Sequence, residues 1–85
     1  MKNVAFTPTA FEEYNNWFET NPHLVNRIKE LIRDISRDPF RGLGKPEPLK
    51  GEWAGYWSRR IDQEHRLIYK TTDTTILIVK CKGHY

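Results

Sequence analysis

Residues 56–80, YWSRRIDQEHRLIYKTTDTTILIVK, decide the fold. Residues 56–61, 65–70 and 75–80 are three runs rich in β-branched and aromatic side chains, with the two-residue period of strands. Asp62-Gln63-Glu64 and Thr71-Thr72-Asp73-Thr74 separate them, and both spacers are short enough for hairpins. An antiparallel meander is the expectation. Alternation puts Arg66, Ile68 and Lys70 on one face and His65, Leu67 and Tyr69 on the other. In the preceding run Tyr56, Ser58 and Arg60 oppose Trp57, Arg59 and Ile61.

Upstream the period becomes helical. Residues 2–6 read as a short first strand, and Thr7-Pro8-Thr9 as a helix start with Thr7 or Thr9 as cap and Glu12 and Glu13 in the first turn. Phe11, Tyr14 and Phe18 share one face of that helix. Asn21-Pro22 breaks and restarts the chain, with Pro22 suited to a first helical turn. The second helix carries Leu24, Ile28, Leu31, Ile32 and Ile35 on one stripe, with Arg27, Lys29, Glu30, Arg33, Asp34 and Arg37 mainly opposite. Residues 38–48, DPFRGLGKPEP, hold three prolines and two glycines and are expected to be irregular. The fold class is therefore α+β: an N-terminal strand and a two-helix hairpin packed on one face of a mostly antiparallel twisted sheet, in a single domain spanning 1–85. Leu67 and Tyr69 are expected under the helices, which turns Arg66 toward the open face. Which of Arg59 and Arg60 joins it is left open by the pattern.

Composition limits the partners. No apolar run approaches the ~20 residues of a membrane span, and the opening MKNVAFTPTAF is short and polar for a signal peptide. The single cysteine, Cys81, cannot form an internal disulfide, so a cytoplasmic protein is expected. Residues 1–44 hold six basic and six acidic side chains, whereas residues 45–85 hold eight basic and five acidic. The whole net charge of +3 thus lies in the half that carries the meander, a bias that suits a polyanionic partner.

Three places could carry chemistry. Glu47 stands between Pro46 and Pro48, whose fixed φ angles stiffen the backbone that aims its carboxylate; Lys45 and Lys50 flank it. Glu64-His65-Arg66 supplies an imidazole and a guanidinium, and His84-Tyr85 a second imidazole and a phenol. Cleavage of RNA through the ribose 2′-hydroxyl needs a base, an acid for the leaving 5′-oxygen and cations for the phosphorane, without a metal. His65 falls on the inward side and reads as a hydrogen-bonded structural histidine. Cys81, His65 and His84 lack zinc-site spacing, so neither metal nor cofactor is expected.

GKPEPLK at 44–50, GYWSRRIDQEHRLIY at 55–69 and KGHY at 82–85 resemble the YoeB-type toxins of the RelE-like toxin–antitoxin family, and the order of elements is similar over nearly the whole chain. The resemblance implies a RelE-like, microbial ribonuclease-type fold, ribosome-dependent cleavage of mRNA, and neutralisation by a cognate antitoxin. It implies that Glu47 is the general base, Arg66 the phosphate-binding arginine and His84 the general acid. Lys50 and Tyr85 would support them, with Lys45 and Arg59 as further phosphate or ribosomal-RNA contacts. One departure is Gly83, where the family often has a bulkier residue. A homodimer is also compatible with the resemblance. The competing function is an inert RelE-like module that binds antitoxin or RNA without cutting. A DNA-binding repressor is disfavoured, because both helices are needed to cover the sheet.

Overall fold

In the computed structural model, which describes residues 1–84, the chain runs β1 (Asn3–Phe6), α1 (Pro8–Thr20), α2 (Pro22–Arg37), β2 (Glu47–Pro48), β3 (Trp57–Arg60), β4 (Arg66–Thr71) and β5 (Thr75–Lys80), with a 3₁₀ turn at Gly51–Trp53. The five strands form one sheet in the order β1-β5-β4-β3-β2. The meander β3–β4–β5 is antiparallel as expected, and β1 joins it in parallel beside β5. Among the described residues no helix is long and apolar enough to cross a membrane.

Residues 38–48 are not wholly irregular. Glu47 and Pro48 pair antiparallel with Ser58 and Trp57 as a two-residue edge strand. Proline cannot sit in the middle of a sheet, but an edge strand tolerates it because one row of its backbone groups faces away from the ladder. This pairing attaches the stiff Glu47 segment to β3.

Of the two expected caps, Thr7 and not Thr9 starts helix α1. The Thr7 hydroxyl accepts from the Ala10 amide at 3.2 Å and Pro8 takes the first turn, so Glu12 and Glu13 lie beyond it. The buried face of α1 also differs from expectation. Ala10 and Trp17 enter the core, whereas Phe11 and Phe18 remain 53% and 48% exposed. Ala10 brings its carbonyl within 3.6 Å of the buried Cys81 thiol, and Trp17, two turns on, donates to the Cys81 carbonyl at 2.9 Å. Tyr14 lies between the two faces, its ring 5.1 Å from Phe6 and 5.4 Å from Phe18.

Helix α2 buries Ile28, Leu31, Ile32 and Ile35 of its expected stripe against Leu67, Tyr69, Ile76 and Ile78, with Leu24 only partly covered and Val25, outside the expected set, buried as well. Asp34, assigned by pattern to the polar side, is instead buried. It forms an ion pair with Arg59, 2.6 Å from Oδ2 to Nη1. The opposite face of the sheet carries no helix. There Ile68 and Leu49 are buried apart from the main core, and Arg66 lies across from Arg60.

Candidate active site

The site begins at the β2–β3 pairing. The Arg60 amide donates to the Gly44 carbonyl at 2.6 Å, which draws the 44–47 segment onto β3. Gly44 has φ +78°, and a Cβ there would sit 2.9 Å from the Arg60 carbonyl oxygen and 3.0 Å from Leu31 Cδ2. Gly44→Ala is therefore expected to lift the segment and cost roughly 1–3 kcal/mol. A lower urea midpoint with an unchanged m-value would report it. Lys45 follows with φ +52°, in the left-handed region that non-glycine residues rarely adopt.

The turn between β3 and β4 holds Arg66. Asp62 Oδ1 accepts the amides of Glu64 and His65 at 2.9 and 2.7 Å and so closes the turn. Burial works to raise the Asp62 carboxyl, but those two amides and the nearby Arg66 charge outweigh it and hold it below the ordinary range. The carbonyls of Asp62, Gln63 and His65 then accept from Arg66 Nη1 at 2.9, 3.3 and 3.1 Å. One edge of the guanidinium is fixed in this way. Nη2 and Nε have no hydrogen-bond partner among the described residues.

These elements enclose a cleft of about 330 Å³ lined by Lys45, Glu47, Ser58, Arg60, Arg66 and His84. The proline-braced carboxylate, the strand guanidinium and the near-terminal imidazole therefore share one space. Two larger clefts, about 500 Å³ beside Met1 and Asp73 and about 400 Å³ along α1, bring no such set together. Arg60 and Arg66 are directly opposed on neighbouring strands. Like charges in that position repel, and an anion between them removes the penalty. With Lys45 they make a cationic wall facing one carboxylate and one imidazole, an arrangement suited to a phosphodiester.

Arg60, not Arg59, belongs to this wall. The expectation that Arg59 contacts RNA is corrected, because its side chain is 0% exposed on the helix side of the sheet. Its guanidinium is consumed by Asp34, the carbonyls of Asp38, Arg41 and Leu43, and the Tyr69 hydroxyl. The missing signal was hairpin register, which sets Arg59 opposite the inward Leu67 and Arg60 opposite Arg66. Lys50, exposed at the start of the 3₁₀ turn, is not among the lining residues. Ser58, which sequence reasoning did not select, is. Tyr85 lies outside the described residues. The lone thiol, Cys81, is pushed up to about 12 by burial and by the Glu13 charge, and so is inert as a nucleophile.

A helix pair on one face of a five-stranded mixed sheet, with a cationic cleft on the bare face, defines the class of RelE-like toxins. The family model for the YoeB-like toxin of bacterial type II toxin-antitoxin systems matches residues 6–85, and the chain belongs to that family. Toxin YoeB of Streptomyces coelicolor is 54% identical over 82 residues, 96% of this chain and 98% of that one. The more distant mRNA interferase toxin YafQ of Escherichia coli K12 is 29% identical over 62 residues, 71% of this chain and 67% of that protein. Among solved structures, the YoeB dimer from Staphylococcus aureus superposes with a TM-score of 0.94 at 45% identity, covering 99% of this chain and 98% of that one. The heterotetrameric YoeB–YefM toxin–antitoxin complex from the same organism gives 0.92 at 44% identity, over 100% and 99%.

Proposed function

We propose that this YoeB-like toxin is a metal-independent endoribonuclease that cuts mRNA on the ribosome by attack of the ribose 2′-hydroxyl. The observation that carries the reading is the single cleft shared by Glu47, Arg66 and His84. Glu47 takes the 2′-hydroxyl proton, and the 2′-oxygen attacks the adjacent phosphorus in line. Arg66, with Arg60 and Lys45, neutralises the phosphorane. The P–O5′ bond breaks as His84 protonates the departing oxygen. The products are a 2′,3′-cyclic phosphate and a 5′-hydroxyl.

A carboxylate is a weak base for a hydroxyl, so charge stabilisation by the cationic wall carries much of the rate. Orientation must supply more. Glu47 and His84 are both exposed, and a cleft this open cannot by itself enforce in-line geometry. Ribosomal RNA holding the message would provide it, which accounts for ribosome dependence. The proposed protein partner is a cognate antitoxin, as YefM is for the S. aureus toxin, and self-association follows the dimer of that relative. An inert module would have no use for a carboxylate and an imidazole held across a cationic wall.

The test is cell-free translation of a defined message with primer extension, repeated with 2′-deoxyribose at the scissile nucleotide. Cleavage should disappear with the deoxy substitution and otherwise leave a cyclic phosphate. Cutting of the deoxy message would overturn the mechanism.

A further inference from the structure

After β5 ends at Lys80 the chain leaves the ladder, yet residues 81–83 are fastened at four backbone groups. The Cys81 amide donates to Glu13 Oε1 at 2.8 Å, and Trp17 Nε1 donates to the Cys81 carbonyl at 2.9 Å. The Gly83 amide donates to His65 Nδ1 at 2.8 Å, and the Arg66 amide donates to the Gly83 carbonyl at 3.0 Å. Three of the four ties are made by side chains, two from α1 and one from the residue before β4. A chain end without such ties frays.

We infer that His65 is a positioning residue for His84: its imidazole holds the Gly83 amide and so aims the next residue into the cleft. Nδ1 must be the acceptor, so Nε2 carries the hydrogen. Nε2 in turn faces Glu64 Oε2 at 3.7 Å, a position that suits an N–H there. The ring is also held edge-on against Trp17, with centroids 4.7 Å apart and planes at 69°. Gly83 takes φ +75°, the left-handed turn that lets its amide reach His65 while its carbonyl reaches Arg66. Gly83 is thus doubly tied, and the small residue at this point serves the turn that brings His84 to the lining of the cleft. Among the described residues His65 is the one side chain that ties Gly83, the residue before His84, and it adjoins Arg66. One short segment therefore sets both the phosphate-facing guanidinium and the tail.

The inference rests on the nuclease reading for the role of His84, and its test separates the two. His65→Phe keeps an aromatic edge for Trp17 but removes the acceptor. His65→Asn keeps an acceptor near the Nδ1 position but gives up the ring. Misplacing a catalytic group by about 1 Å can cost around a hundredfold. His65→Phe should therefore lower kcat for ribosome-dependent cleavage by about tenfold to a hundredfold, with the half-saturating ribosome concentration within about twofold. His65→Asn should recover most of that loss.

Hydrogen exchange of the Gly83 amide in the free toxin, followed by NMR, should show protection in wild type and in His65→Asn and its loss in His65→Phe. Should the larger ring not be accommodated, His65→Leu serves the same arm. Unchanged Gly83 protection in all variants overturns the tie. Lost protection with undiminished cleavage overturns the positioning role, as does full activity in His65→Phe with loss in His65→Asn. A wild type that protects Gly83 but cuts no message overturns the nuclease reading and leaves the tie standing.

Discussion

Glu47→Gln is expected to reduce message cleavage by about 10²–10⁴-fold, and His84→Ala by a similar factor. Glutamine keeps the size and hydrogen bonding of the side chain but cannot accept the 2′-hydroxyl proton. Both residues are exposed and line the same cleft, so neither change should disturb the core. Surface substitutions of this kind usually move stability by no more than about 0.5 kcal/mol, and urea midpoints should stay near wild type. The two losses should not add. In the proposed mechanism base and acid act in one displacement, so the double variant should fall little below the weaker single one, with residual rate from Arg66, Arg60 and Lys45. Primer extension over a time course in cell-free translation measures this. Equal cutting by wild type and both variants would make the site assignment untenable.

The contrast between what could and could not be read from sequence has a physical basis. The meander and the α2 stripe were legible because they depend on local period alone: every second or every third-to-fourth residue is apolar, and the chain obeys it. Glu47, Arg66 and His84 were singled out by residue type, proline context and family resemblance, and the fold brings them to one cleft.

What failed were the choices that depend on pairing between distant segments. Glu47–Pro48 looked like loop because its prolines oppose strand structure everywhere except at an edge. The buried side of α1 is not legible from hydrophobicity, because Phe11 and Phe18 are more apolar than Ala10 and yet it is Ala10 and Trp17 that enter the core. Arg59 and Arg60 are chemically identical neighbours. Only the register across the turn at 62–65 separates a core guanidinium from one facing the cleft. Asp34 was hidden among solvated charges because nothing local marks a carboxylate whose partner lies 25 residues away.

That hidden pair underlies the second large effect. Asp34→Ala is expected to destabilise the protein by about 3–5 kcal/mol, a large share of the roughly 5–15 kcal/mol that holds a small domain folded. Arg59 is 0% exposed, and without Asp34 its charge would be left with carbonyls and a phenol alone. Those carbonyls, at Asp38, Arg41 and Leu43, belong to the loop leading to Lys45 and Glu47, and Tyr69 adds a bond to the Pro39 carbonyl at 2.6 Å. The pair is therefore the anchor of the loop that carries Lys45 and Glu47 to the cleft, and on the proposed function its loss should lower cleavage as well as stability. Acid should act through the same group. The Leu43 amide, then Arg59 and Arg37, hold the Asp34 carboxyl below its ordinary value of 3.8 against the opposing effect of burial. A carboxyl depressed in the folded state contributes stability that is fully present above the ordinary value and lost as pH falls toward the depressed one. Urea midpoints of wild type should fall below about pH 4, whereas Asp34→Asn, lower at neutral pH, should show less of that fall. A wild-type midpoint indifferent to acid over that range, or an Asp34→Ala protein as stable as wild type, would remove the buried pair from the account of how the loop is held.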